Sequence, residues 1–278
     1  DVSIEVLCES GLKAALKVTG KIGSSSYSQV ISMTAESRRV EISMTIDWKE
    51  QHRLLKTAFP VSVYAEEGIN EIQFGYVKRP THRSKAYDKD RFEVCNHGYS
   101  ALCDGAHGAA VLNDSKYGIS MNENRLELSL LKAACSPEMR ADNGIHQFTY
   151  AFTAWEGDFM DCDVVKQAYE LNVEPVLCDG LSEMAGNFRT DQDNIMLETV
   201  KLAEDGSGDW ILRLYESKKA AVKAAIAMPL LEGRRAYLCN MLENEEEEIM
   251  VNGNEIILDF KAFEVKTVRI SYKSSERS

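Results

Sequence analysis

A short polar turn near the middle of the chain gathers side chains that could hold a sugar. The turn, Asn113-Asp-Ser-Lys-Tyr-Gly118, follows the apolar segment Ala109–Leu112. Asn, Asp and Ser bond to their own backbone and favour turns, and Gly118 can adopt the positive φ that closes one. An amide, a carboxylate, an ammonium and a phenol would then lie together at a strand end, which suits a polyol. The same residues are equally suited to a plain, well-capped surface turn.

Other catalytic patterns do not occur in the sequence. Glycoside hydrolysis needs two carboxyl groups across the scissile bond, and none of the 44 acidic residues forms a recognisable acid/base pair. A catalytic zinc needs three converging ligands, and the spacings of His82, His97, His107 and His146 match no ligand pair carried by one helix. There is no phosphate loop, dinucleotide fingerprint or nucleophile elbow. The motifs alone therefore predict neither a catalytic residue nor a metal ligand.

Composition narrows the classes of partner. The formal net charge is −12, which argues against nucleic acid or an anionic membrane as the main partner. The acidic run Glu243–Glu248 predicts a solvated loop, and the basic cluster Lys78–Arg83 predicts an ion-paired surface. No apolar run is long enough to cross a bilayer.

The first residues indicate a piece of a longer polypeptide, and the cysteines indicate the cellular compartment. The chain begins Asp1-Val-Ser-Ile-Glu-Val, without an initiator methionine, and enters a strand pattern at once, as expected of a piece of a longer polypeptide. Its seven cysteines are widely spaced, odd in number and free of C-x-x-C pairs. We therefore expect reduced, mostly buried thiols in a cytoplasmic protein.

Period-two alternation predicts an all-β chain in two parts. Strands joined by short turns without intervening helices imply an antiparallel sheet, and Pro60 places its strand at an edge or kinks it. One short helix is predicted at Val164–Leu171. The predicted domains are residues 1–172 and 191–278, with a linker over 173–190, and the second domain has the pattern of a small sandwich. The strands predicted in the first domain are Ile4–Leu7, Ala14–Thr19, Gln29–Thr34, Val40–Ile46, Leu54–Pro60, Val61–Tyr64, Arg125–Leu131 and His146–Phe152. Those predicted in the second are Ile195–Leu202, Trp210–Tyr215, Ala220–Ala227, Arg235–Cys239, Glu255–Asp259 and Val265–Tyr272.

Several segments, in order along nearly the whole chain, resemble the C-terminal β-rich half of glycoside hydrolase family 38 α-mannosidases, in particular the cytosolic and bacterial branch. The segments that carry this resemblance are His52–Pro60, Phe74–His82, Arg91–Cys95 with His97, Val111–Gly118, Leu128–Leu131, Asp142 with Gly144, His146–Tyr150, Tyr169–Asn172, Glu198–Lys201, Glu204–Gly206, Leu212–Glu216 and Phe263–Thr267.

The resemblance implies a large antiparallel super-sandwich, similar to that of galactose mutarotase, followed by a smaller C-terminal β-sandwich. It implies a parent enzyme that is a zinc-dependent, retaining, exo-acting α-mannosidase. In that family the zinc ligands, the nucleophile and the acid/base belong to an N-terminal α/β barrel, which a helical bundle follows. The implied partners are therefore that barrel and bundle of the same polypeptide, a mannose-containing oligosaccharide and a homo-oligomer formed through the parent.

Three departures from the family pattern affect individual substrate contacts. The segment after His97 is Gly98–Cys103, so an aromatic residue is kept as Tyr99 while the family's acid becomes Ala101. Lys132 stands where an Arg is common, which replaces a bidentate fork with a point charge. The usual Pro-His after Tyr150 is also replaced.

The leading hypothesis is a scaffold that contributes part of an active-site rim but not the chemistry, so the chain alone should be inactive. Active sites lie on loops that rigid sheets carry, which selects two loops as the rim. The candidate substrate-binding residues are Asn113, Asp114, Lys116, Tyr117, Asp142 and His146. A free-standing lectin-like module would instead expose an aromatic platform built from Tyr99, Tyr117 or Trp155. An aldose mutarotase would need a His pair and a Glu that converge in a cleft, and a structure in which His97, His107 and His146 are scattered apart would exclude it.

Overall fold

The computed structural model describes residues 2–176, 179–180 and 188–272. The chain forms two compact units, Asp1–Pro175 and Val176–Ser278. Both are built almost entirely of antiparallel strands, in agreement with the sequence prediction. Among the described residues no helix is long and apolar enough to cross a membrane.

The first unit is a sandwich of a nine-stranded and a four-stranded sheet. The large sheet has the order β1-β2-β3-β4-β13-β10-β9-β6-β7, and the small one β5-β12-β11-β8. Its strands are β1 (Ser3–Glu9), β2 (Lys13–Ile22), β3 (Ser25–Thr34), β4 (Val40–Trp48), β5 (Arg53–Pro60), β6 (Glu67–Ile72), β7 (Gly75–Pro80), β8 (Val94–Cys95), β9 (Tyr99–Cys103), β10 (His107–Asn113), β11 (Gly118–Asn122), β12 (Arg125–Ala133) and β13 (Gly144–Glu156).

Alternation along the strands builds the core between these sheets. In β4 the buried residues are every second one, Ile42, Met44, Ile46 and Trp48, because successive side chains of a strand point to opposite faces. The facing strand β12 contributes Leu126, Leu128 and Leu130 to the same cluster.

The inner face of the large sheet continues as an uncovered apolar surface beyond β4. Register places Ile4 opposite Val18, Val6 opposite Leu16, and Leu16 opposite Ile31 and so in phase with the buried Ile42. Nevertheless Ile4, Val6 and Leu16 are 68%, 62% and 40% exposed. We call this face of β1–β3 the apolar wing. Contiguous exposed apolar area of this kind is typical of a docking surface.

Two helices accompany the first unit. Helix α1 spans Ala86–Asp90, and helix α2 spans Val164–Asn172, which confirms the predicted helix at 164–171. Val164, Val165 and Ala168 are buried where α2 packs against β9 and β10. The helix thereby supports the part of the sheet that carries the predicted turn.

The second unit is a smaller sandwich with its own core. Its sheets have the orders β14-β17-β20 and β15-β16-β21-β18-β19. Buried Leu212, Leu214, Ile226 and Phe260 pack between the sheets, because alternation in each strand directs one face inward. Its strands are β14 (Arg189–Thr190), β15 (Ile195–Leu202), β16 (Trp210–Glu216), β17 (Val222–Ala227), β18 (Ala236–Cys239), β19 (Glu245–Ile249), β20 (Glu255–Phe260) and β21 (Val265–Ile270).

Two strand predictions in the first unit differ from the structure. β5 ends at Pro60 and is an edge strand, so the proline has the predicted position, but Val61–Tyr64 form no strand. Val61 instead donates its N–H to the carbonyl of Asn124, in the turn between β11 and β12. The connection between Cys95 and Ala109 contains a fully paired inner strand, β9, which the alternation pattern does not reveal.

The acidic run and part of the predicted linker also differ from the sequence prediction. Glu245–Glu248 belong to β19 rather than to a loop, because an edge strand paired on one side leaves its carboxylates solvated. In the predicted linker, residues 177–178 and 181–187 lie outside the described residues, whereas Arg189–Thr190 pair with β17.

The thiols and the basic cluster require corrections as well. Six described cysteines are free thiols, yet only Cys162 and Cys239 are buried, since turn and edge positions leave Cys95 and Cys135 exposed. Among the residues that the structure describes, His82 is the one member of the cluster Lys78–Arg83 within 4.0 Å of a carboxylate, that of Asp88, so these residues do not form the expected ion-paired surface.

Candidate functional site

The turn between β10 and β11 is held by Asn113, which is fully buried. Its Oδ1 accepts the backbone N–H of Lys116 at 2.7 Å, and its Nδ2 donates to the His97 carbonyl at 2.7 Å. Both ends of the amide are therefore engaged by the protein. The sequence marked Asn113 as a substrate contact, and the structure shows that it shapes the turn.

Asp114 ties the same turn to the neighbouring strand β13. Its Oδ2 accepts the Thr149 N–H at 2.7 Å, and its Oδ1 accepts the Ser115 hydroxyl at 2.7 Å. Its own N–H donates to the Thr149 carbonyl at 3.1 Å. The carboxylate is half-buried and thus fixes the position of the residues that follow it.

Lys116 is the side chain that this turn presents. Its Nζ lies 4.3 Å from the centroid of the Phe148 ring, a cation–π geometry. Burial lowers the pKa of the Lys116 ammonium, while the nearby carboxylates of Asp142 and Asp114 act in the opposite direction. Within the described structure no side chain accepts a hydrogen bond from Nζ, so its three N–H groups can meet a ligand.

Tyr117 stands beside it as an exposed aromatic side chain. The ring is 53% exposed, and its centroid lies 5.4 Å from that of His97. By contrast, Tyr99 is 1% exposed, and Trp155 is half-buried against Gly108. Of the three aromatic residues proposed as a lectin-like platform, only Tyr117 can stack on a sugar from solvent.

The second predicted loop approaches the first through Asp142. Its Oδ2 accepts the Lys132 N–H at 2.6 Å, and its charge acts on Lys116. His146 Nε2 lies 2.6 Å from the Asp142 carbonyl oxygen, so Nε2 carries the proton and donates. The structure thus brings Asp142 close enough to Lys116 for their charges to interact, and Tyr117 follows Lys116 in the turn with its ring beside His97. The ring nitrogen of His146 holds the Asp142 loop in place.

A carboxyl group that sequence analysis missed lies beside Gly98, whose carbonyl accepts the Asn113 N–H at 3.0 Å. The carboxyl of Glu71, on β6, faces the backbone N–H groups of Gly98 and Tyr99, and the Glu71 carbonyl accepts the His97 N–H at 3.1 Å. Burial raises the pKa of the Glu71 carboxyl to about 7, although these two N–H groups act in the opposite direction. The signal in the sequence is Gly98, since a Cβ there would lie 2.7 Å from Glu71 Oε2.

His107 and His146 lie far apart. His107 pairs with Glu156 on β13, ten residues beyond His146, which separates the two by about 33 Å along the strand. These two histidines therefore cannot form the His pair that an aldose mutarotase would need. Among residues 2–176, 179–180 and 188–272 no group of three His, Cys, Asp or Glu side chains is arranged to hold a metal ion.

The fold consists of a large β-sandwich unit and a second, smaller β-sandwich, and each part matches a known family. The family described as "Glycosyl hydrolases family 38 C-terminal domain" matches residues 1–140, and "Glycosyl hydrolases family 38 C-terminal beta sandwich domain" matches residues 194–268. This chain therefore belongs to glycosyl hydrolase family 38, in its C-terminal region.

The chain is similar over most of its length to several α-mannosidases. The chain is 34% identical to human α-mannosidase 2C1 over 95% of its own length, and 32% identical to α-mannosidase G of Dictyostelium discoideum over 89%. It spans 26% and 24% of those two proteins. The crystal structure of an α-mannosidase from Enterococcus faecalis superposes with a TM-score of 0.78 at 13% identity, over 96% of this chain and 35% of that one, which confirms the fold.

Proposed function

We propose that this chain is the C-terminal scaffold and active-site-rim region of a retaining exo-α-mannosidase that removes terminal α-mannosides from glycans. The observation that supports the proposal is that, in a family 38 chain, one turn presents Lys116, whose charge interacts with that of Asp142, next to the exposed ring of Tyr117. Lys116 supplies N–H donors, Asp142 a carboxylate acceptor and Tyr117 an aromatic face. Sugars are recognised by such combinations of polar groups and a ring face.

In this proposal the reaction itself belongs to the rest of the polypeptide. A barrel and a helical bundle N-terminal to residue 1 hold zinc, the nucleophile and the acid/base. The rim residues bind and orient the mannose and exclude water from one side. Carbohydrate binding and mannose metabolism are thus part of the proposed role, and no chemical step is assigned to a residue of this chain.

The apolar wing supports the proposed partner. Ile4, Val6 and Leu16 continue the core pattern of the large sheet but are exposed. At about 25 cal/mol per Å² of apolar area, leaving such a face in water is costly, and docking the barrel or the bundle over it removes that cost. The proposed location is the cytoplasm, which the free thiols support. Homo-oligomerisation is proposed for the complete enzyme and not for this chain by itself.

Lys116→Met in the complete polypeptide tests the role of the rim. We expect KM for an aryl α-mannoside to rise about tenfold, because a charge-assisted hydrogen bond to a sugar hydroxyl is lost. The matched control is Lys223→Met, an exposed lysine on β17 of the other unit, which should leave KM unchanged. Unchanged KM in both variants would remove Lys116 from the rim.

The exposed ring of Tyr117 favours one alternative, a carbohydrate-binding module that works alone. It predicts that the isolated chain binds methyl α-mannoside, with chemical-shift changes centred on Tyr117. The scaffold proposal predicts weak binding or none, because the other wall of the pocket is supplied by the barrel.

A further inference from the structure

A narrow cavity on the first unit is lined by three cationic side chains, none of which lies within ion-pair distance of a carboxylate among the described residues. Its volume is about 110 Å³, and Lys78, Arg79 and Arg91 line it together with Asp88. Val94, Ile119 and Met121 supply apolar walls. This cavity lies in the basic cluster that the sequence analysis expected to be ion-paired, and the proposed mannoside rim does not use it.

The positive charges that line this cavity differ from a neighbouring lysine because no carboxylate that the structure describes neutralises them. Nearby Lys56 donates to Glu93 at 2.8 Å and lies 3.8 Å from Glu127. No carboxylate of the described chain lies within 4.0 Å of the charged groups of Lys78, Arg79 or Arg91. Arg79 Nη1 donates only to neutral acceptors, the Asn70 side-chain oxygen at 2.6 Å and the Cys95 carbonyl at 3.1 Å.

Arg79 is the cation of this group that is partly removed from water. Burial lowers the pKa of the half-buried Arg79 guanidinium, and the charge of Arg91 acts in the same direction. Lys78 and Arg91 are exposed, and Arg91 lies over the Tyr87 ring at 5.3 Å. Three cations that line one cavity repel one another, and an oxyanion bound among them would compensate their charge.

Asp88 adds selectivity to the cavity. Its Oδ2 accepts the Lys85 N–H at 3.0 Å and lies 4.0 Å from His82 Nδ1. Within the described part of the chain its Oδ1 accepts no hydrogen bond. A carboxylate oxygen can only accept, so it tolerates an oxyanion that carries a proton and repels one that does not. Inorganic phosphate carries a proton near neutral pH and sulfate does not, whereas a phosphate monoester loses its last proton at about pH 6.

We propose that this cavity is a binding site for a phosphate group, held by Lys78, Arg79 and Arg91 and selected over sulfate by Asp88. The cavity has room for the anion itself. A sugar esterified to the phosphate would remain outside the opening. Both free phosphate and a phosphorylated glycan share this chemistry, and the site does not depend on the proposed mannoside rim.

Titration calorimetry on the 278-residue chain tests the proposal. The probes are inorganic phosphate, sulfate and chloride at matched ionic strength, and mannose phosphate in a separate arm. We expect saturable one-to-one binding of phosphate, at least about tenfold tighter than sulfate. Equal affinity for mannose phosphate would identify an esterified group as a source, and its failure to bind would restrict the site to the free ion.

Two variants separate the site from general electrostatics. Arg91→Met keeps much of the side-chain stem and should weaken phosphate binding about tenfold or more. The matched control, Lys89→Met, removes an exposed cation of α1 that does not line the cavity and should change nothing. If phosphate binds no better than chloride, or Arg91→Met binds like the wild type, the proposal is overturned.

Asp88→Asn tests the selectivity, since its amide can donate to a deprotonated oxyanion. We expect the preference for phosphate over sulfate to fall towards unity. Should this variant fail to fold, the pH dependence of mannose phosphate binding to the wild type replaces it, and the affinity should decrease as pH rises through about 6, where the monoester loses its last proton. An unchanged preference in the first experiment, or an unchanged affinity in the second, would contradict the role of Asp88.

Discussion

Replacing Glu71 by Gln should stabilise the protein at alkaline pH and have little effect at acidic pH. The Glu71 carboxyl is largely removed from water beside Gly98, and two backbone N–H groups do not offset the burial. Its pKa of about 7 lies well above the ordinary 4.5. The folded state therefore prefers the protonated carboxyl, and Gln imitates that neutral form.

The sign and size of the effect follow from linkage. Between pH 4.5 and about 7 the folded state retains a proton that the unfolded state has lost, so the free energy of unfolding falls as pH rises. The contribution of Glu71 is fully present below pH 4.5 and is lost above pH 7. A change in pKa of this size corresponds to roughly 3 kcal/mol. Glu71→Gln should remove this loss.

The assay is urea denaturation at pH 5, 6, 7 and 8, followed by the emission of Trp48 and Trp155 in the first unit. Wild type and Glu71→Gln should have similar unfolding free energies at pH 5, and the variant should be more stable by up to about 3 kcal/mol at pH 8. Glu67→Gln, at an exposed position of the same strand, is the control and should show no such divergence. A variant that is less stable than wild type by the same amount at every pH would refute the reasoning, because the carboxylate would then act as a favourable buried anion.

Three further predictions concern packing. Gly108→Ala should destabilise the first unit by about 1–3 kcal/mol in urea denaturation, because a Cβ there would lie 2.0 Å from the Trp155 ring; an unchanged midpoint would show that the ring moves freely. Leu128→Ala, at a fully buried position, should cost about 2–5 kcal/mol in the same assay, and a loss under 1 kcal/mol would mean that the core collapses around the cavity. Ile4→Ser with Leu16→Ser should reduce the fluorescence of a bound hydrophobic dye without lowering stability by more than about 1 kcal/mol; a large loss of stability would show that the apolar wing is part of the core.

The sequence was most informative where one strand face is buried and the other solvated. β4, β12 and β15 show this alternation and were predicted within a few residues, as was helix α2. It failed for β9, because Tyr99–Cys103 is buried on both faces and has no alternation to detect. It failed for β19 for the opposite reason, since nearly every side chain there is solvated.

The candidate site was only partly predictable. Turn chemistry predicted the position of Lys116 and Tyr117, because Asn113 bonds locally to the Lys116 backbone N–H. It did not predict the bond of Asp114 to Thr149 on β13, and the positive φ expected at Gly118 does not occur. The placement of Glu71 beside Gly98 could not be predicted in the same way. Glu71 lies 27 residues before Gly98 in the sequence (98 − 71 = 27), and only the pairing of β6 with β9 brings them together.

The most direct test of the central claim is the hydrolysis of an aryl α-mannoside by the isolated 278-residue chain with added zinc. A scaffold that presents Lys116, Tyr117 and Asp142 but leaves the chemistry to another domain should release no more aryl alcohol than the buffer blank. Hydrolysis above the blank that follows the concentration of this chain would contradict the account.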